Sequence, residues 1–352
     1  MNHDYDIGIV GLGPVGSFAA LLLEKKGLKV LAIDKDQDIY PLPRAVSISD
    51  QGLRMTQEVN IDDIYIENST EVGGAGFVDK ELNFIGDPIE LKGFTTPNGW
   101  PPMRFFHQPY TDKKIRQRLE QTSVTILLET ELLSVVDEIE GVKFNTKSLV
   151  DSTEKEYTCK YLIGADGGSS ALRKLLGITQ EDLNYNRDWV VVDVELTGKN
   201  RLDDKAIQIC DKERIGTFIP SHLPFRRWEF IIYDDENKKD FQDDKKIQEL
   251  IGRWLNPNEY KIIRKAIYQF HSVLAHDFKK GNCFLIGDAA HQNPPFMGEG
   301  MMSGYRDAFN LAWKIAFVIK NNFSPNLLDT YQEERRPHAK FVVENSAGIG
   351  EL

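Results

Sequence analysis

The chain has 352 residues, 41% hydrophobic and 28% charged, enough for one large or two moderate cores with the balance of a soluble globular protein. Its net charge of −11 argues against a nucleic-acid surface, which needs a local excess of Lys and Arg, but permits a small anionic ligand held by one or two buried arginines. The three cysteines (159, 210, 283) are scattered, no apolar run reaches the roughly 18 residues of a membrane span, and the N-terminus lacks a signal-peptide order; the expectation is a cytoplasmic protein with no metal and no stable membrane insertion.

Tyr5 to Val10 reads as an apolar strand, followed by G-L-G-P-V-G and a helix expected over Ser17 to Lys26. Gly11 makes the tight turn, Gly13 lets backbone reach a pyrophosphate, and Gly16 allows helix and strand to pack; Pro14 and Val15 lie between them. A second strand, Lys29 to Ile33, ends in Asp34 and Lys35, close to 20 residues past the glycines, where a carboxylate takes two hydrogen bonds from a ribose diol. This pattern predicts dinucleotide binding without distinguishing NAD from FAD. Arg44, ten residues past the acid, is either a phosphate or ring-edge contact or a solvated arginine.

Gln108 precedes a helix expected from about Tyr110 and is either a cofactor contact or the residue that opens the helix. Short strands are expected at 124–128, 132–136, 141–144 and 158–163, the last running into GADGGSSALR. There Asp166 and Gly167 open a turn that either presses backbone against a nucleotide, with Arg173 tying it down, or is a structural turn capped by its own acid. From Trp189 to Tyr233 short runs rich in Val, Ile, Phe and Trp predict an antiparallel sheet. After a charged stretch, a helix is expected at 247–255 and a strand at 265–274 with Tyr268, Phe270 and His271.

The stretch NCFLIGDAAHQNPPFMGEGMMSGYRDAFNLAWK predicts strand, turn, loop and helix. Gly287 and Asp288 form the turn, with the carboxylate placed for a ribityl or ribose hydroxyl; Pro294 and Pro295 stiffen the loop, and Gly298 and Gly300 permit close approach of a ligand. The helix from about Met301 presents its N-terminus to an anion. His291 reads as a loop residue, and 326–344 as an amphipathic helix carrying TYQEERRPH.

The glycine fingerprint, the D-G-x-x-S-x-x-R turn and the G-D turn, in this order, resemble the single-component FAD-dependent aromatic hydroxylases. LPRAVSISD, WVVVDVEL, RRWEF, GDAAHQNPPFMGEGM and LLDTYQEERRPH are similar to the branch containing 3-(3-hydroxyphenyl)propionate hydroxylase. The resemblance implies an α/β fold: a Rossmann-type FAD-binding domain (1–72, 105–181, 269–352) with an inserted β-rich substrate domain (73–104, 182–268), as in p-hydroxybenzoate hydroxylase. It places Gly11, Gly13, Gly16 and Asp34 at the adenosine half, Arg44, Gln108 and Asp288 at ribityl and phosphate groups, and Pro295 through Met301 along the isoalloxazine.

The implied chemistry is hydroxylation of a phenolic ring: NAD(P)H reduces the flavin, O2 gives a C4a-hydroperoxide, and its distal oxygen attacks the substrate. Asp50, Tyr268 and His271 are the candidates for drawing the phenolic proton, and Arg226 and Arg227, with Pro294, for the substrate side. Ser49-Asp50-Gln51 stands where the family pattern has an acidic pair. Relatives of this branch continue through an interface region and often a thioredoxin-like domain, whereas this chain stops about eight residues past the ERRPH helix; a homodimer is therefore left open. The alternatives are a polyketide-tailoring or antibiotic-modifying oxygenase of the same fold, or an FAD-binding protein without turnover.

Overall fold

The computed structural model describes residues 3–199 and 202–350. Strand β1 (Tyr5–Val10), helix α1 (Pro14–Lys25) and strand β2 (Val30–Ile33) form the first unit. The helix starts before the expected Ser17 because Pro14 takes its first position, where a fixed φ is suited to the helix and a missing N–H costs nothing. Then come β3 (Gly74–Val78), α2 (Gln108–Leu119), β4 (Thr125–Leu127), β5 (Glu154–Gly164) and α3 (Ala171–Leu175). The chain continues through β6 (Gln180–Leu196), β7 (Lys205–Ile209), β8 (Gly216–Ile219), β9 (Phe225–Ile232) and β10 (Tyr260–Ala275). It ends with β11 (Cys283–Leu285), α4 (Gly300–Lys320) and α5 (Asp329–Gly350).

Strands β11, β5, β1, β2 and β4 lie side by side and parallel, with a core of Ile7, Ile9, Leu31, Ile163 and Phe284. Strands Thr130–Glu138 and Gly141–Ser148 extend β5 as an antiparallel meander. Burial on both faces explains the charge-free runs Ile7 to Val10 of β1 and Val30 to Ile33 of β2. The register pairs Val10 with Gly164 and Gly164 with Leu285, so the loops after β1, β5 and β11 leave three neighbouring strands at one level. Ligands of open parallel sheets bind beyond that carboxyl edge.

The second sheet runs β10, β6, β9, β8, β7, β3, antiparallel except where β7 meets β3. One of its faces packs Val190, Val192, Phe218, Trp228 and Phe230 against Ile247, Ile251 and Trp254. The alternating β-branched and aromatic residues of the 189–233 stretch thus line a second core. The strand expected at 265–274 starts earlier, at Tyr260, because β6 offers a pairing partner along its whole length. The helix expected at 247–255 also begins earlier, at Asp244, where the Asp243 side chain caps it.

Helix α1 is held close to the glycine turn because Gly16 has no side chain: a Cβ there would overlap the carbonyl oxygen of Gly11. Gly16→Ala is expected to destabilise the fold by about 1–3 kcal/mol, seen as a lower urea midpoint at unchanged slope. An unchanged midpoint would show that the turn yields freely.

Candidate functional site

Gly11 adopts φ +96, and a Cβ there would press 2.5 Å from the carbonyl oxygen of Ala165 in the neighbouring loop. Gly13 differs: a Cβ on it meets nothing within 4 Å, so the N-terminus of α1 faces open space. No side chain caps that helix and no acid lies in its first turn. Val15 turns away from the opening and packs on Gly287 and Gly304, where larger residues would not fit. Asp34 accepts from the backbone N–H of Leu12 at 2.6 Å and of Asp36 at 2.9 Å, bracing the glycine turn, while Lys35 is exposed.

The turn after β5 is built from its own residues. The Asp166 carboxylate accepts from Ser170 Oγ at 2.5 Å and from the N–H groups of Ala171 at 2.6 Å and Leu172 at 3.1 Å, capping α3. Arg173 is buried and donates to the carbonyls of Ala289, at 2.9 Å, and Gly168, at 2.8 Å. Of the two readings of this turn, the contacts match the one capped by its own acid: the Arg173 guanidinium joins two loops, because two buried carbonyls need donors. Gly167, at φ +78, has nothing within 4 Å of a Cβ and leaves its surroundings open.

At the third loop, Gly287 has φ +59 and its N–H donates to Asp307 Oδ2 at 3.0 Å. Asp307 is fully buried on α4, 2.6 Å from His291 Nε2 and 2.8 Å from Arg335 Nε of α5. Burial alone would raise its pKa, but His291 and Arg335 outweigh that and hold the carboxyl below the usual range. His291 is accordingly a buried clamp residue, and Tyr331 of α5 donates to the carbonyl of Leu285 at 2.7 Å beside it. Asp288 points the other way. Its side chain is exposed along the crevice although protein crowds around it; that enclosure raises its pKa, moderated by His291 and Arg44.

A fourth element, the segment 40–45, borders the crevice. Gln108 Oε1 accepts from the N–H groups of Arg44 and Ala45, both at 2.7 Å, and its amide N donates to Asp112 at 3.1 Å. Gln108 thus positions the Arg44 backbone, and its carboxamide is taken up by protein. Arg44 itself is exposed, with its guanidinium stacked 4.4 Å from the Tyr40 ring. Behind Gln108, burial raises the Asp112 carboxyl to about 7 against the pull of Gln108 and Arg116. Arg116 donates to the carbonyl of Leu12 at 2.9 Å and has a buried Nε without a partner.

The loop of Pro294, Pro295 and Gly298 leads to α4. Pro294 is buried, Gly298 has φ +65, and a Cβ on it would lie 2.6 Å from Ser47 Oγ. Helix α4 begins at Gly300 with no side-chain cap and no acid in its first turn. Met301 buries its side chain toward Tyr65, 3.9 Å away, leaving backbone at the helix start. Both amide atoms of Asn293 are buried without partners among the described residues, 3.8 and 3.9 Å from where a Gly300 Cβ would sit.

The substrate-side candidates separate. Tyr268 shares a face of β10 with Phe270, which packs against Trp189 and Phe296, the last in the loop before α4. His271, three residues on, falls on the opposite face, 2.6 Å from Asn186. Asp50 accepts from Thr96 at 2.8 Å and Asn98 at 2.7 Å. Arg226 is buried and donates to the carbonyls of Pro220 and Phe225, and Arg227 grips Asp193 and the carbonyls of Pro43 and Arg44. The expectation that Arg227 holds a substrate carboxylate is corrected, since its Nε and both Nη atoms serve an acid or buried carbonyls; Arg226 keeps a buried Nε without a partner among the described residues.

Asp307, Arg335, Asp112, Arg116 and Asn293 were missed by sequence reasoning. Asp307 did leave a signal: it is a charge next to Ala308 and four residues before Leu311, on the apolar stripe of its helix.

A family profile described as FAD binding domain matches residues 4–346. The 3-(3-hydroxy-phenyl)propionate/3-hydroxycinnamic acid hydroxylase of Escherichia coli (strain SMS-3-5 / SECEC) is 31% identical over 356 residues, covering 100% of this chain and 63% of the relative. The chain thus spans less than two thirds of the length of the curated relatives it matches. Aklavinone-11 hydroxylase, solved with FAD and aklavinone, superposes with a TM-score of 0.86 at 25% identity, over 99% of this chain and 69% of that one. The p-nitrophenol 4-monooxygenase of Pseudomonas putida DLL-E4 superposes with a TM-score of 0.88 at 22% identity, over 99% and 88%. FAD fits the donor set: a pyrophosphate matches the open space at Gly13, a hydroxyl the exposed Asp288 carboxylate, and a ring with polar edges the partnerless Asn293 amide beside the uncapped α4.

Asp307→Ala is expected to cost about 3–5 kcal/mol of stability, because Arg335 is left buried without its acid. Because the folded pKa of Asp307 is depressed, its contribution holds above the ordinary carboxylate range and is lost on acidification; denaturant titrations at neutral and acid pH should show the variant's deficit shrinking. Asp112 has the opposite sign. With its folded pKa raised to about 7, the wild type should lose stability relative to Asp112→Asn as pH rises from about 4 to about 7, by at most about 4 kcal/mol. Parallel pH profiles for the two proteins would refute that.

Proposed function

The chain belongs to the FAD-binding-domain family of flavin-dependent aromatic hydroxylases, and we propose that it carries the FAD and substrate sites of a monooxygenase acting on a phenolic ring with NAD(P)H and O2. The observation that carries this reading is the meeting of three loops at one carboxyl edge, opposite an aromatic cluster of the second sheet. A 3-(3-hydroxyphenyl)propionate-like phenol is the first substrate class, supported by the 31% identity across the whole chain. The segments 73–104 and 182–268 are proposed as the substrate-binding part.

When bound, FAD supplies the redox chemistry that passes electrons from the nicotinamide donor to oxygen and delivers one oxygen atom to the ring. The protein holds the cofactor. The N-terminus of α1 at Gly13 takes the pyrophosphate, Asp34 and Asp288 accept hydroxyls, and Arg44 supplies positive charge beside Asp288. The N-terminus of α4 would offer positive potential to a reduced, negatively charged ring. Trp189, Phe270 and Phe296 exclude water from the reacting face. Tyr268 is the candidate for moving the phenolic proton, since it stands on that face with its hydroxyl near that of Tyr40.

A second reading is favoured by one observation. With Arg227 fully engaged by protein groups, a larger uncharged aromatic of the polyketide type needs no carboxylate partner there, and the likeness to aklavinone-11 hydroxylase fits such a ligand.

The test is FAD-loaded protein given NAD(P)H, air and a panel of phenolic acids and polycyclic phenols, with products read by mass. The expected result is one substrate class gaining 16 mass units, the mass of one oxygen atom, with NAD(P)H consumed in step. Faster NAD(P)H oxidation yielding peroxide alone, across the whole panel, would defeat the proposal.

A further inference from the structure

Asp193 stands on β6 in the second sheet, yet the interactions it organises end beside Arg44 at the cofactor crevice. Its carboxylate accepts from Arg227 Nε at 2.7 Å and Nη2 at 3.2 Å, and lies 3.4 Å from Arg264 Nη1. The two arginines reach onward to one short segment: Arg227 donates to the carbonyl of Pro43 at 2.6 Å and of Arg44 at 3.0 Å, and Arg264 donates to that of Pro43 at 2.6 Å. Asp193, Arg227 and Arg264 are all buried, and Glu229 lies 3.8 Å from Arg227.

The sequence Tyr40-Pro-Leu-Pro-Arg44 explains why such a grip is needed. Pro41 and Pro43 have no N–H, so this stretch is held through carbonyls and side chains. From the other side Gln108 holds the N–H groups of Arg44 and Ala45, and Tyr268, beneath the Arg264 guanidinium at 5.1 Å, lies near Tyr40. The backbone on both sides of the Arg44 side chain is therefore fixed while the guanidinium remains exposed. Two guanidiniums converging on one carbonyl repel each other unless an anion sits between them, and a two-point contact with a carboxylate also sets the plane of the Arg227 fork.

We infer that Asp193 is a positioning residue for Arg44: through Arg227 and Arg264 it fixes the Pro43–Arg44 backbone and so aims the Arg44 guanidinium into the crevice beside Asp288. This rests on the reading of the crevice as the FAD site. It gives the second sheet a hand in how tightly the cofactor is held, although Asp193 itself stays out of the crevice.

A double-mutant cycle on the full chain tests it, with Asp193→Asn, Arg44→Met and the pair titrated with FAD by flavin fluorescence and unfolded in urea. Each single substitution should weaken FAD binding by about tenfold or more, and the pair no further than Arg44→Met alone, as expected for residues acting as one unit. The urea midpoint reads the structural cost separately, and the drop caused by Asp193→Asn should be the same with or without Arg44. Wild-type affinity in Asp193→Asn, or a full loss again on adding it to Arg44→Met, would overturn the assignment. Should Asp193→Asn fail to fold, Arg264→Met enters the same cycle with the same two outcomes. Wild-type protein that takes up no FAD would overturn this inference and the site reading together, whereas FAD binding without hydroxylation of any panel compound would count against the proposed function alone.

Discussion

The crevice depends on one buried carboxylate. Asp307 sits in the middle of the apolar stripe of α4 and binds the N–H of Gly287, the ring of His291 and the guanidinium of Arg335. Each partner belongs to a different piece of chain: the turn after β11, the loop that follows it, and α5. A carboxylate without them would be costly at that depth, and with them it locks three pieces in register. Gly287 is thereby fixed with positive φ and Asp288, the next residue, is turned outward. The exposed acid of the site is oriented by the buried one behind it.

A comparable division of labour governs the arginines. Arg173, Arg226, Arg227, Arg264 and Arg335 are buried and donate to carbonyls or to buried acids, while Arg44 keeps its guanidinium exposed at the crevice against the Tyr40 ring. Guanidinium suits this structural use because its fan of donors satisfies several loop carbonyls at once. Loops that carry a ligand site lack the regular hydrogen bonding of strands and helices, so their carbonyls need partners from elsewhere. The buried arginines are those partners, and the rigidity of the loops follows from them.

This difference explains what was legible in the sequence. The glycine fingerprint, the parallel order of β1 and β2 and the G-D turn could be read because each demands a residue with no substitute: a Cβ at Gly11 or Gly16 meets backbone. The aromatic alternation of the second sheet was readable for the same kind of reason, since period-two burial leaves a visible trace. Asp166 and Arg173 were not resolvable from their motif. An acid that caps a helix and an acid that holds a ribose have the same spacing from a glycine turn, and only the position of Ser170, Ala171 and Leu172 around it decides. Arg227 misled for a related cause: nothing in RRWEF records that Pro43 and Arg44 have carbonyls waiting across the fold. Tyr268 and His271, three residues apart, were equal candidates until the strand alternation put them on opposite faces.

The placement of acids reconciles a chain of net charge −11 with a cofactor that carries phosphates. Helices Asp50–Thr56, Asp62–Glu67, Asp244–Ile251 and Asp329–Gly350 all have an acid in the first turn, the usual way of satisfying the positive end of a helix. Helices α1, α2 and α4, which border the crevice, have none, and neither α1 nor α4 has a side-chain cap. An acid in those first turns would gain the same local stabilisation as in the others and would then repel a phosphate or a reduced flavin ring. First turns without an acid keep their N–H groups and positive ends for the ligand, and Glu299, at the N-cap of α4, is paired with Arg306. Within an acidic protein the crevice thus keeps helix N-termini and Arg44 beside the Asp34 and Asp288 carboxylates, a local arrangement set independently of the overall charge.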